Sequence, residues 1–369
     1  MNATLQDMMI KATRLTQAGN LTEATALIQC ALSGAKTPTV TPLRSVPATS
    51  SVIDGMVINR RVDSVESNDE SNGESNGDDK SSGDFVSGSH ARAGLTRHYK
   101  LYVPPQHVGR ALPLVVMLHG CTQDPDDFAA GTGMNERARE QGFFVLYPAQ
   151  SQDGNAQRCW NWFARAHQQR GSGEPALLAE MTQRVVKAYG MDAQRVYLAG
   201  LSAGGAMADI VAAAYPEIYA AVGVHSGLPR GAATTVSGAF AAMKGGQPTS
   251  LSSAKILSAS VPTIVFHGDA DQTVHPKNGE QVMAAFVRDA EPSELSSEQG
   301  VSSGGRAYTR SIYRSDNGSI AAEHWLVKGT GHAWSGGAAS GSYTDAKGPD
   351  ASGEMLRFFF EHSLRSRSF

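Results

Sequence analysis

Residues 195–205, RVYLAGLSAGG, constrain this chain more than any other stretch. Arg195 to Ala199 reads as a short buried strand, and Gly200-Leu201-Ser202-Ala203-Gly204 has the G-x-S-x-G spacing of a nucleophile elbow. Ala203 to Tyr215 then reads as a helix that stops at Pro216. A serine on so sharp a strand-to-helix turn has a strained backbone, and small flanking residues let strand and helix approach without a Cβ clash. The turn lifts the hydroxyl of Ser202 above the sheet and sets it at a helix N-terminus, where the dipole favours developing negative charge. The same spacing also occurs in glycine-rich turns that carry no chemistry, so the motif needs partners elsewhere in the chain.

Around this stretch, short apolar runs alternate with helical segments. Leu114 to Leu118 is continuously apolar, as a parallel strand covered on both faces should be. Asp126 to Gln141 reads as a helix, Phe143 to Tyr147 as a strand, Glu174 to Tyr189 as a helix, and Ala220 to Val224 and Thr263 to Phe266 as strands. A loop-rich insertion is expected from about Leu228 to Leu257. Tyr308 to Arg314 and Glu323 to Val327 read as a hairpin about Asn317-Gly318, and Ser352 to His362 as a closing helix. The fold class is therefore α/β, with a mostly parallel sheet and helices on both faces.

The N-terminal third is different. Leu5, Met8, Met9, Ala12 and Leu15, then Leu21, Ala24, Leu27, Ile28 and Ala31, recur at helical spacing on either side of Gly19-Asn20. Residues 1–36 are expected to form a helical hairpin. It could pack on the catalytic domain, on a second copy of the chain, or dock to a surface. Residues 37–94 are expected to be linker, because residues 63–84 (DSVESNDESNGESNGDDKSSGD) offer almost no apolar surface to offset the entropy of ordering. Their carboxylates lack the regular ligand spacing of a calcium loop. Ordered chain should resume near Phe85, and the catalytic domain is assigned to residues 95–369.

The elbow's partners appear in the chain order Ser, Asp, His. Phe266-His-Gly-Asp-Ala-Asp-Gln-Thr-Val274 leaves a buried strand and offers Asp269 and Asp271. The D-x-x-V form after a His-Gly turn favours Asp271 as the acid and leaves Asp269 to brace the turn. Lys328-Gly-Thr-Gly-His-Ala-Trp334 offers His332, flanked by glycine, as the base. His119, His267 and His275 are read as structural. A serine hydroxyl is a weak nucleophile, so His332 would take its proton and Asp271 would hold the imidazole tautomer. The backbone N–H groups of Ala203 and Cys121 are the candidate oxyanion donors.

His119-Gly-Cys-Thr-Gln, Cys159-Trp-Asn-Trp-Phe163, the elbow, the His-Gly-Asp-x-Asp-x-x-Val loop and Gly-x-Gly-His-x-Trp, in this order, resemble the polyhydroxybutyrate (PHB) depolymerase esterases, with feruloyl and acetylxylan esterases as close relatives. The resemblance covers roughly residues 95–362. It implies an α/β-hydrolase fold, hydrolysis of carboxylic esters with no cofactor or metal, and Ser202, Asp271 and His332 as the triad. Trp160, Trp162 and Trp334 flank these loops and are expected to wall a site for an ester substrate. Cys121 and Cys159 lie in loops expected near the site, and whether they pair is open. No separate polymer-binding module is visible.

Composition narrows the alternatives. A formal net charge of −3 gives no basic footprint for nucleic acid, and no apolar run is long enough to span a membrane. Three cysteines (Cys30, Cys121 and Cys159) are too few for a disulfide scaffold and wrongly spaced for zinc. Met1 to Ala18 lacks the continuous apolar core of an export signal, so the cytoplasm is the default location, and an extracellular one the alternative suggested by the resemblance. The leading expectation is a serine esterase for hydroxyalkanoate oligomers or polymer, or other short esters. A feruloyl or acetylxylan esterase, a serine peptidase or amidase of the same fold, and a non-catalytic granule-binding protein are the competing readings.

Overall fold

The computed structural model describes residues 50–53, 56–59, 82–245 and 260–366. Twelve strands form one sheet: β1 (Ser50–Ile53), β2 (Met56–Asn59), β3 (Asp84–Arg92), β4 (Leu95–Val103), β5 (Leu114–Leu118), β6 (Phe144–Pro148), β7 (Val196–Leu201), β8 (Ala221–His225), β9 (Thr263–Gly268), β10 (Glu294–Val301), β11 (Ala307–Arg314) and β12 (Ile320–Val327). Their order across the sheet is β1-β2-β3-β4-β6-β5-β7-β8-β9-β12-β11-β10. The central run from β6 to β12 is parallel, and the strands outside it pair antiparallel.

The apolar runs are continuous because successive residues of a strand face opposite sides and both sides are covered. Leu114, Val116 and Leu118 of β5 pack into one core with α3 (Gly173–Tyr189), α4 (Ala203–Ala214) and α6 (Lys277–Ala290). Val115 and Met117 pack into a second core, on the other face, with α1 (Pro125–Thr132), α2 (Met134–Gln141) and α7 (Ala351–Phe360). This is an α/β-hydrolase arrangement, as expected.

The structure departs from the sequence reading in several places. The sheet begins upstream of the expected domain boundary: β3 lies within the stretch assigned to linker and pairs with β4 along all nine of its residues. It does so because Val86, Gly88 and His90 turn inward while their neighbours face out. β1 and β2 extend the same edge. The single helix expected over Asp126–Gln141 is two, broken at Gly133, whose φ of 60° ends one helix and starts the next. The insertion after Leu228 contains α5 (Val236–Met243). The helical hairpin expected over 1–36 lies outside the described residues.

Register across the parallel strands brings the later loops side by side. Leu201 of β7 is level with His225 of β8, His225 with Phe266 of β9, and Phe266 with Trp325 of β12. The chain therefore leaves β7, β8, β9 and β12 along one edge, and Ser202, Ser226, the Asp271 loop and the His332 loop all stand there.

Candidate active site

Ser202 ends β7 and precedes α4 with φ 57° and ψ −118°, a conformation that an L-residue adopts only when its surroundings impose it. What imposes it is backbone contact. A Cβ at Gly200 would meet the carbonyl oxygen of Gly204 at 2.3 Å, and one at Gly204 would meet that of Leu118 in β5 at 2.0 Å. The Ser202 N–H donates to the His225 carbonyl at 2.9 Å, tying the turn to β8. The hydroxyl is not spent on capping the helix, and Ser202 is 9% exposed. Among the described residues that hydroxyl has no hydrogen-bond partner, His332 included. Catalytic hydrogen bonds often tighten only once substrate is bound.

Asp271 and His332 are joined. Asp271 Oδ2 accepts from His332 Nδ1 at 2.7 Å, while Oδ1 accepts the backbone N–H groups of Thr273 and Val274, each at 2.9 Å. A carboxylate only accepts, so the His332 proton is on Nδ1 and Nε2 is the basic nitrogen. Burial alone would raise the Asp271 pKa. Hydrogen bonds from His267 and His332, the attraction of His332 and the Val274 N–H outweigh it and hold the carboxyl well below its usual range. Asp269, two residues earlier, accepts the Gly329 N–H at 2.7 Å and lies 3.2 Å from Lys328 Nζ. It braces the two loops and does not reach His332.

The donors expected for a developing oxyanion lie beside Ser202. The Cβ position of Gly120 is 3.6 Å from that of Ser202, which puts the His119–Thr122 loop against the elbow. Gly120 N–H is taken by Gln123 Oε1 at 2.9 Å and Thr122 N–H by the Gln157 carbonyl at 2.7 Å. The Cys121 N–H between them, and the Ala203 N–H at the start of α4, have no acceptor among the described residues. Cys121 is bonded through a disulfide to Cys159, which settles the open pairing and fastens this loop to the Trp160 loop.

The other histidines are committed to structure. His119 Nδ1 donates to the Gly120 carbonyl and its Nε2 accepts from Gln150 N–H; burial lowers its pKa to about 4. His267 Nε2 donates to the Val274 carbonyl at 2.8 Å, and His275 Nδ1 accepts from Lys277 N–H. His225, not singled out in the sequence, lies under the site. Its Nε2 accepts from Ser335 N–H at 2.9 Å, and burial, with His267 and His332 nearby, pushes its pKa well below the usual imidazole value.

The tryptophans do not form the expected wall. Trp160 and Trp334 are 0% and 1% exposed, and their indole N–H groups donate to the His119 carbonyl and to Ser352 Oγ. Trp334 stacks on His225 and meets Phe128 edge-on, and Trp162, 5% exposed, packs edge-on against Phe163. These rings support the loops from beneath. An exposed ring at the site, among the described residues, is Tyr343, at the head of the short strand β14 (Thr344–Asp345), which pairs with β13 (Trp334–Ser335). No motif marks it in the sequence. Among the described residues no group of three His, Cys, Asp or Glu side chains is placed to hold a metal.

Comparison with known proteins adds the family context. Residues 97–295, just over half of the chain, match the family model described as Esterase PHB depolymerase. Poly(3-hydroxyalkanoate) depolymerase C of Paucimonas lemoignei is 31% identical over 229 residues, covering 60% of this chain and 54% of that protein. Poly(3-hydroxybutyrate) depolymerase of Ralstonia pickettii is 29% identical over 274 residues, covering 69% and 55%. The chain thus spans about half the length of these curated relatives. Among solved structures, an acetyl xylan esterase from Aspergillus awamori superposes with a TM-score of 0.56 at 20% identity, covering 72% of this chain and 94% of that one, and so shares its fold.

Proposed function

This chain belongs to the PHB depolymerase esterase family, and on that premise we propose that it is a serine carboxylesterase acting on short carboxylic esters, hydroxyalkanoate oligomers among them. Ser202 attacks the ester carbonyl as His332 Nε2 takes its proton, and Asp271 stabilises the imidazolium that forms. The tetrahedral oxygen draws hydrogen bonds from the Ala203 and Cys121 N–H groups; each such donor typically lowers the barrier by about 3 kcal/mol. The imidazolium then protonates the leaving alcohol. Water, deprotonated by the same nitrogen, releases the acid from the acyl-enzyme.

The observation that carries this reading is the 2.7 Å bond from His332 Nδ1 to Asp271, on the edge where the strained Ser202 stands. Nε2 is left as the basic nitrogen of His332, and the Ser202 hydroxyl is uncommitted among the described residues. A disulfide at the oxyanion loop fits an oxidising compartment better than the cytosol, which supports the extracellular alternative. No helix among the described residues is long and apolar enough to cross a membrane.

Hydrolysis of p-nitrophenyl butyrate by the wild type and by Ser202→Ala tests the proposal. A loss of about 10⁵- to 10⁶-fold in kcat is expected. Retention of the activity in Ser202→Ala, or faster cleavage of the matching anilide than of the ester, overturns it.

A further inference from the structure

The mouth of the site is bridged by a hydrogen bond that the mechanism does not use. The Tyr343 hydroxyl lies 3.1 Å from Thr122 Oγ1, across 221 residues of chain, and so links the loop that follows His332 to the loop of Cys121. The Tyr343 ring is 45% exposed and stands edge-on to the His332 imidazole, with ring centroids 6.5 Å apart.

The ring's position is firmly set. The preceding residue, Ser342, donates its N–H and its hydroxyl to the two oxygens of Asp127, at 2.8 and 2.6 Å. The Tyr343 carbonyl accepts the Trp334 N–H at 2.6 Å. Gln123, which fixes the Gly120 N–H beside Ser202, also donates to Asp127 and to the Ser342 carbonyl. Thr122 and Tyr343 both have positive φ, 67° and 53°, which bulky side chains adopt only under constraint. A half-exposed aromatic residue is thus held in strain at the reacting end of the site, where it cannot be contributing to the core.

Proton accounting fixes the chemistry that it presents. Thr122 Oγ1 donates its one hydrogen to the Cys121 carbonyl at 2.5 Å, so in the pair with Tyr343 it can only accept. The Tyr343 hydrogen therefore points to Thr122, and its oxygen accepts from no donor among the described residues. What remains available is an acceptor, which matches a hydroxyl or amine and repels a carbonyl. The alcohol half of the ester must leave past the His332 imidazole that protonates it, and Tyr343 is an exposed ring beside that imidazole.

From this geometry we infer that Tyr343 is a specificity-determining residue, which accepts a hydrogen bond from a hydroxyl next to the ester oxygen in the leaving alcohol. The preferred substrates are then monoesters of vicinal diols or polyols rather than esters of simple alkanols. The inference rests on the serine esterase reading above and narrows it to one half of the substrate.

The test is a ratio. 2-Hydroxyethyl acetate and propyl acetate differ by a hydroxyl in place of a methyl, so their kcat/KM ratio isolates that group, and comparing the ratio between enzymes cancels the difference in leaving-group reactivity. Tyr343→Phe should lower the ratio by about 3- to 10-fold, the size of one neutral hydrogen bond. A merely structural role would lower both rates together, and an unchanged ratio overturns the inference whatever the absolute rates do. A change confined to p-nitrophenyl 3-hydroxybutyrate against p-nitrophenyl butyrate also overturns it, because the hydroxyl would then be read on the acyl side. Failure of the wild type to hydrolyse either acetate or p-nitrophenyl butyrate removes the underlying esterase reading as well, a result distinguishable from an unchanged ratio.

Discussion

Glu174 and Asp271 both have side chains with no exposed surface, yet the regions they organise differ. Glu174, in the first turn of α3, accepts from Gln150 Nε2, from the backbone and side-chain amides of Asn161, and from Arg97 at 3.3 Å, and His167 lies 3.5 Å away. Its nearest cation, Arg97, is 4% exposed, and His167, at 19%, spends its Nδ1 accepting the Glu174 N–H. Asp271 is held by two backbone amides on one oxygen, and on the other by His332, whose side chain is 11% exposed and presents its second nitrogen to the site. In both cases burial pushes the pKa up and is outweighed by hydrogen bonding, so that it ends below its ordinary value. A buried carboxylate whose partners are all spent on holding chain segments fixes a loop; one whose partner keeps a basic nitrogen uncommitted can pass the effect of its charge to a reacting group. The difference lies in where the partner's far end points.

Four experiments separate the two carboxylates. The largest effect is expected from Asp271→Asn, which keeps the shape but loses the charge and the tautomer control; kcat on p-nitrophenyl butyrate should fall about 10⁴-fold. A fall of less than tenfold would place Asp271 with Glu174 as a structural charge. Glu174→Ala should act in the opposite way. It strands Arg97 without its carboxylate, so the unfolding free energy in a urea titration should drop by about 3–5 kcal/mol, with a smaller loss of kcat than in Asp271→Asn. Equal effects of the two variants on kcat would erase the distinction.

Third comes pH. Both carboxyls have depressed folded-state pKa values, so the stability they contribute is present above the ordinary carboxylate range and is lost as pH falls from about 4 through the depressed values. The Tm difference between wild type and Asp271→Asn should therefore be constant near neutrality and shrink below about pH 4. A difference that does not change down to pH 3 would mean that Asp271 is not held as a carboxylate. The smallest effect is expected for Asp269→Asn. Its ion pair with Lys328 is exposed, so stability should change by less than about 1 kcal/mol and kcat by less than threefold. Loss of activity comparable with that of Asp271→Asn would reverse the roles given to the two aspartates.

Sequence made the framework of the site visible because its constraints are local. The glycines at 200 and 204 are required by backbone contact at the elbow, and that requirement leaves a fixed spacing about Ser202. The Asp271 and His332 loops could be found because each follows an apolar strand whose length and position are themselves readable. The direction of a loop aromatic is not local. Trp160 and Trp334 read the same whether they face substrate or core, and only the positions of His119 and Ser352 decide that they face inward. Tyr343 lies eleven positions after His332 in a stretch of small residues, and its role depends on Thr122, more than two hundred residues away. β10 does not read as a strand in the sequence, because seven of its eight residues are exposed and the alternation that marks a half-buried strand is missing. β3 reads as linker in the sequence, because its apolar content is low and its neighbours upstream are acidic and polar.

Whether Ser202 is the group that becomes acylated is decided by reaction with an active-site-directed alkyl phosphonate followed by intact-mass and peptide mapping. One adduct per chain is expected, carried by Ser202 and absent from Ser202→Ala. An adduct on another residue, or full labelling of Ser202→Ala, would contradict that assignment.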